Sequence, residues 1–341
     1  MAKRRRRRSR TGRRIRFSLS AIAIAAVVCA GLAGARYMEN RMHVEVANAG
    51  MQMTAHTTAE DTAQVFMNGQ WYEKKDVETL LVMGIDDNGV VTGSASYNNT
   101  KQADFLVLFI RDEESGESRA IHLNRDTMTD ITMLGVTGEA AGVQHAQLAL
   151  AYNYGRGQHD SSRNTVDAVT HLLYGTEIDH YITVTMDAVP VMNDWVGGVT
   201  VEVKEDMTSV DSALEAGKEV KLTGGQALAY VRSRKGLEDS TNINRMERQR
   251  QYASAWVQAA QAQLKDADAV ADLVMQLSDY HSSDCTAEEL AEFAQQLGEN
   301  PELEIRELPG ESIRGENFME FHADDAQLQQ LLLDLLYVPV G

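Results

Sequence analysis

Glu78-Thr-Leu-Leu-Val-Met-Gly-Ile-Asp86 and Asp104-Phe-Leu-Val-Leu-Phe-Ile110 decide the fold. Each is a short, nearly unbroken apolar run with a carboxylate at one end. Such runs, bounded by turn chemistry, read as strands buried on both faces. Asp87-Asn-Gly89 supplies the turn after the first, and residues 88–101, rich in Gly, Ser, Asn and Thr, read as a loop. Arg119–Asn124 reads as a third strand. The charged turn Arg111–Glu117 makes it a hairpin with the second.

Working outward, His180–Thr185, Val199–Val203 and 303–308 have strand character. Helices are expected over Gln144–Tyr154, Asn164–Tyr174, Met186–Trp195, 224–232, Asn244–Leu264, 267–279, 286–297 and 324–337. The pairs Gly197-Gly198 and Gly224-Gly225 read as turn glycines. Interleaved strands and helices predict an α/β fold. It would be a single large domain over 77–341, with a central mixed β-sheet flanked by helices.

Composition bounds the rest. The 341 residues are 43% hydrophobic and 24% charged, which excludes collagen, a disulfide scaffold and wholesale disorder. The net charge of −18 hides an asymmetry. Eleven basic residues and no acidic one precede residue 37, leaving 21 basic against 50 acidic residues, a net of −29. A body so acidic repels nucleic acid, so no nucleic-acid partner is expected.

Residues 1–16 form a basic tail, and 17–35 are 19 residues without a charge. That run reaches roughly 28 Å as a helix, enough for one transmembrane helix. The positive-inside rule puts the tail in the cytoplasm and the body outside, in a single-pass cell-membrane protein. A signal peptide cut after Ala35 is the competing reading. Residues 36–76 read as a stalk or linker. Of the two cysteines, Cys29 lies in the apolar run and Cys285 in the body, so the body has no internal disulfide. Cys285 is expected to be inert.

Phosphate-loop, nucleophile-elbow and zinc-helix motifs are absent. His145, His171 and His180 read as ordinary histidines. What stands out is basic residues gathered in an acidic body: Arg232, Arg234, Arg245 and Arg248, with Arg125 in Asn124-Arg125-Asp126-Thr127. On a helix, Arg245, Arg248, Gln249 and Tyr252 share one face, while Met246, Ala253, Val257, Ala260 and Leu264 form a separate stripe. Converging guanidinium forks suit a diphosphate, and a solvated basic face is the plain alternative. Asp86 and Asp104, at the ends of adjacent strands, are expected to repel unless a hard cation lies between them. Mg²⁺ or Mn²⁺ would suit.

LLVMGIDD (80–87), ADFLVLFI (103–110), HLNRDT (122–127), GGVTVEV (197–203), LTGGQALAYVRSR (222–234) and NRMERQRQY (244–252) stand in the order seen in the LytR-CpsA-Psr family, which this sequence resembles. The resemblance implies a membrane-anchored, Mg²⁺-dependent phosphotransferase acting outside the cell membrane. It would move an anionic glycopolymer, teichoic acid or capsule, from an undecaprenyl diphosphate carrier to peptidoglycan. Its partners would be the polyprenyl-linked glycopolymer, peptidoglycan and membrane lipid. Asp86 and Asp104 would hold the metal. Arg125, Arg232, Arg234, Arg245, Arg248 and Gln249 would hold the diphosphate. The polyprenyl tail would sit in an apolar pocket beside the sheet. Asp126 and Asp104 both stay open as the base. Two positions depart from the family pattern: Gln102 stands where an arginine is usual, and Asn242 where an acid is usual. A binding protein without transfer and a lipid-diphosphate hydrolase remain alternatives.

Overall fold

A computed structural model of the chain describes residues 64–234, 242–300 and 303–340. The expected tail and anchor, 1–35, lie outside these. No helix among the described residues is long and apolar enough to cross a membrane.

The strands in chain order are β1 (Gln64–Met67), β2 (Gln70–Lys74), β3 (Val77–Ile85), β4 (Ala103–Asp112), β5 (Ser118–Leu123), β6 (Met128–Leu134), β7 (Ala140–Gln147), β8 (His180–Val184), β9 (Thr200–Glu202), β10 (Glu219–Lys221), β11 (His281–Ser283), β12 (Glu304–Glu307), β13 (Gly310–Arg314), β14 (Met319–Ala323) and β15 (Tyr337–Pro339). The helices are α1 (His159–Leu172), α2 (Ala188–Trp195), α3 (Gly224–Arg232), α4 (Asn242–Leu264), α5 (Ala267–Gln276), α6 (Ala287–Glu299) and α7 (Asp325–Leu336).

The central sheet has six strands in the order β11-β8-β3-β4-β5-β12. β3–β4 and β4–β5 are antiparallel, whereas β8 runs parallel to β3 and β12 parallel to β5. It is the mixed sheet expected, with helices on both faces. The period-2 alternation sorts each strand. Leu81, Met83 and Ile85 join one core with α1 and α7, while Val107 and Ala120 join the other with α2 to α6.

Two expectations need correction. The first half of Gln144–Tyr154 is strand β7, paired with β6, and only Leu148–Asn153 turns, as a 3₁₀ helix. Gln144 pairs with Ile131 and Gln147 with Met128, so pairing with β6 overrides the local helical preference of this stretch. The described part of the expected stalk forms β1 and β2, and β15 adds to β2. The domain therefore begins before residue 77. The strand expected over Val199–Val203 is β9, which pairs with β10 in a separate two-stranded sheet. The helix expected over 224–232 is α3, which the glycine pair opens. Thr223 and Gln226 form its capping box, and a Cβ at Gly224 would stand 3.0 Å from Pro190 of α2.

Candidate active site

Five segments end at the same edge of the sheet: the ends of β3 and α3, the start of β4, the β5–β6 turn and the start of α4. β4 pairs with β3 through a bulge. Gly84 faces Phe105 and Ile85 faces Ala103, so Asp104 is the extra residue. A bulge re-aims the side chain it carries. Asp104 is thereby turned onto the face under α4, where it is buried.

Both Asp104 oxygens are held. Arg125 Nη1 donates to Oδ1 and Arg245 Nη1 donates to Oδ2, the latter at 2.9 Å. Each arginine is braced in turn. Arg125 Nη2 donates to Gln102 Oε1 at 2.6 Å, and Arg245 Nη2 donates to Asn242 Oδ1 at 2.6 Å. Asn242 Nδ2 reaches Asn124 Oδ1 at 3.0 Å, and that oxygen also accepts the Asp126 N–H at 3.0 Å. Gln102 and Asn242, the two departures from the family pattern, thus sit at the two ends of one chain of contacts. Their amides hold the guanidiniums without adding charge. Arg125 Nε stands 3.2 Å from Asp126 Oδ1 as an ion pair without hydrogen-bond geometry, and Arg245 Nε is buried without a hydrogen-bond partner. Burial, with the charges of Arg234 and Arg125, lowers the Arg245 pKa against the pull of Asp104.

Asp86 reaches solvent. Even so, desolvation around its carboxylate, helped by the charge of Asp104, raises its pKa, while the Gln102 N–H donating at 2.6 Å opposes the shift. The Asp104 charge is thus a secondary cause at Asp86, behind desolvation. It is itself offset by two guanidiniums, which sequence reading did not foresee. Asp126 also has a raised pKa, from burial, against the charges of Arg125, Arg245 and Arg234. Gln147 Nε2 donates to its Oδ1 at 3.0 Å and to the Met319 carbonyl at 2.8 Å, fixing the β5–β6 turn against β14.

Arg232 and Arg234 are exposed beside this cluster. Arg232 reaches Asn88 Oδ1 at 3.5 Å. Arg248 does different work from that expected. Its Nε donates to the Tyr230 carbonyl at 2.8 Å, and its other nitrogens bond the Ser233 carbonyl and Glu205. Gln249 Nε2 likewise donates to the Val231 carbonyl at 3.2 Å. These two tie α4 to the end of α3 and so aim Arg232 and Arg234. The supposed open face of α4 is buried.

Behind the arginines lies an apolar cavity of about 310 Å³. It runs between the sheet (Leu80, Val82, Gly84, Phe105, Phe109) and helices α4 to α6, with Asp104, Arg232 and Arg245 in its wall. Gly84 matters here. A Cβ would stand 3.1 Å from the Phe105 Cβ, crowding the strands where the cavity meets the polar cluster. His122, beside Phe105, was not anticipated as part of this region. Burial and the charges of Arg250 and Arg245 lower its pKa to about 3, so it is a neutral spacer.

A buried acid–arginine network thus stands beside an apolar cavity. The LytR_cpsA_psr family model matches residues 41–335, and the chain belongs to this family. A relative from Halalkalibacterium halodurans, polyisoprenyl-teichoic acid–peptidoglycan teichoic acid transferase TagU, is 28% identical over 247 residues. The match covers 68% of this chain and 74% of that one. Among solved structures, Bacillus subtilis TagV superposes with a TM-score of 0.58 at 22% identity, covering 77% of this chain and 96% of that one. A structure of TagT bound to LIIa-WTA gives 0.58 at 20% identity, covering 86% and 98%. These two likenesses establish the shared fold.

Proposed function

We propose that this chain is a membrane-anchored phosphotransferase acting outside the cell. It moves an anionic glycopolymer of the teichoic acid kind from a polyprenyl diphosphate carrier to peptidoglycan. The observation that carries the reading is the apolar cavity with Asp104, Arg232 and Arg245 in its wall. A long apolar tail beside a doubly phosphorylated head is the ligand class that fits both parts. The relative named above, a polyisoprenyl-teichoic acid–peptidoglycan transferase, supports the substrate class. The apolar run 17–35 supports the anchor.

In this reading Arg232, Arg234, Arg125 and Arg245 orient the diphosphate. The acceptor hydroxyl oxygen of a peptidoglycan sugar bonds to the glycan-side phosphorus. The bond from that phosphorus to the bridging oxygen breaks, and the lipid monophosphate leaves with the electron pair. The hydroxyl proton passes to a carboxylate. Asp126 suits this better than Asp104, whose two oxygens are both held by guanidiniums. Asp86 and Asp104 offer only oxygen donors, the donor set that suits Mg²⁺ or Mn²⁺. Such an ion supplies charge neutralisation at the diphosphate.

The test is incubation of the full chain in detergent with a synthetic polyprenyl-diphosphate glycan, Mg²⁺ and a peptidoglycan acceptor. Phosphodiester-linked product is expected. Free phosphorylated glycan would make it a hydrolase, and retained but unreacted lipid a binding protein.

A further inference from the structure

We propose that His180, Asp284 and Cys285 bind one divalent cation of the Zn²⁺ class, at the end of the sheet opposite the arginine cluster. One ligand atom from each of the three lies within 4.8 Å of the others. The strand register builds this. β11 runs antiparallel to β8 with Ser283 opposite Ile182, so the chain leaving β11 carries Asp284 past Tyr181 and Cys285 toward His180. β8 pairs with β3 at Leu80, whereas Asp86 ends β3 at its far side.

The ligands are held in place. Asp284 Oδ1 accepts the Tyr181 N–H at 2.8 Å. Ser283 Oγ donates to the Tyr181 carbonyl at 2.6 Å and accepts the Cys285 N–H at 3.0 Å, which fixes the turn. His180 Nδ1 stands 3.9 Å from Asp284 Oδ1. Ligand atoms on a tetrahedral zinc stand roughly 3.3–3.6 Å apart, so small side-chain rotations close the site. All three residues are half-buried, which leaves a path for the ion and room for water as a fourth ligand. Imidazole and thiolate donors select Zn²⁺ over Mg²⁺. Glu78 and Glu289 add negative field at Cys285, while Arg163 acts in the opposite sense at Asp284.

Binding replaces the thiol proton of Cys285, which goes to solvent, with a sulfur–metal bond. The site would join β8, the turn after β11 and α6, whose Phe293 ring meets His180 edge-on at 6.1 Å and also lines the apolar cavity. Its role is thus to fix one wall of that cavity.

Full-length protein in detergent is titrated with Co²⁺, then with Zn²⁺. One thiolate-bound Co²⁺ per chain is expected, read from a near-ultraviolet thiolate-to-cobalt band that Zn²⁺ abolishes and excess Mg²⁺ does not. Cys285→Ser should remove the band. Cys285→Ser and His180→Gln should each weaken Zn²⁺ by more than the roughly 100-fold of an outer-shell change. Asp104→Asn should leave the band intact, because the arginine cluster has no thiolate, so this result stands apart from the transferase reading. Alkylation of Cys285, mapped by mass spectrometry in the unmutated protein, should slow with Zn²⁺, which guards against poorly folded variants. No saturable binding, unprotected Cys285, or an unchanged band in Cys285→Ser would each overturn the proposal.

Discussion

The two faces of the central sheet are equally apolar and end differently. On one, Leu81, Met83, Ile85, Leu106 and Leu108 are closed over by Leu328, Leu332, Leu335 and Leu336 of α7 and by Ala168 and Val169 of α1. On the other, Gly84, Phe105 and Phe109 face Ala253, Trp256 and Val257 of α4 across a cavity of about 310 Å³. Protein interiors normally close to near-crystalline density, and an apolar void forfeits dispersion contacts along its lining. The hollow face persists because its helices are held by polar struts. Arg248 and Gln249 tie α4 to α3, and Trp256 Nε1 donates to the Met192 carbonyl of α2 at 2.8 Å. The filled face stores stability, and the hollow face gives some of it up for a place to put a ligand.

The strongest way to break the hollow face is at its polar end. Asp104→Asn should reduce transfer at least about 100-fold, the scale of losing one preorganised charge-stabilising group. It should also destabilise the fold by about 3 kcal/mol, because two buried guanidiniums lose their anion. Adding Arg125→Gln should return part of the stability and none of the activity. Denaturant titration and the transfer assay read the two separately. A stabilised Asp104→Asn would show that repulsion from Asp86 outweighs both ion pairs.

Core substitutions sharpen the contrast. Leu332→Ala, on the filled face, should cost about 2–5 kcal/mol by opening a cavity. Ala253→Phe, on the hollow face, should leave stability unchanged or higher while weakening polyprenyl-diphosphate binding at least about 10-fold. Its ring occupies existing space, worth on the order of 1.5–3 kcal/mol of newly buried side chain. Equal losses of stability from the two variants would mean that the cavity is not held open as argued.

How much of this was legible follows from the same comparison. Apolar runs with charged ends disclosed β3, β4 and β5, because a strand buried on both faces needs no alternation. The order of motifs pointed to Asp86, Asp104, Arg125, Arg232, Arg234 and Arg245, and the fold joins Asp104, Arg125 and Arg245 in one network. The bulge at Asp104 was invisible, since it depends on the pairing of Gly84 and Ile85 with a strand 20 residues on. So was the work of Arg248, which differs from Arg245 only in lying one turn later, opposite carbonyls at the end of α3. The hairpins β6–β7 and β13–β14 carry few buried side chains, so their sequences lack the pattern that reveals strands.

A smaller effect is expected at the exposed arginines. Arg232→Ala or Arg234→Ala should weaken lipid-diphosphate binding by about 1.5–3 kcal/mol, the range for hydrogen bonds to charged groups. Lysine should recover only part, for want of the fork. Stability should stay within about 0.5 kcal/mol, because neither side chain is buried. A matching loss of stability would assign them to the framework, with Arg248.

The smallest effect separates the two aspartates. Asp86 has its pKa raised above the ordinary 3.8, by desolvation and then by Asp104. The folded state therefore holds this proton more tightly than the unfolded chain does. As pH rises from the unfolded value through the raised one, the unfolded state binds fewer protons, so stability falls. The penalty is complete at neutral pH and absent well below 3.8. Asp86→Asn removes it and keeps an amide oxygen to accept the Gln102 N–H. Its melting temperature should exceed that of the unmutated protein slightly at pH 7 without metal, and the gap should vanish as the pH falls below 3.8. Mg²⁺ should reverse the order at pH 7, since only the carboxylate offers the ion a charged ligand. A variant that melts lower at pH 7 without metal would make Asp86 a structural acceptor for Gln102. A gap that ignores Mg²⁺ would remove it from the metal set while leaving Asp104 and its two arginines untouched.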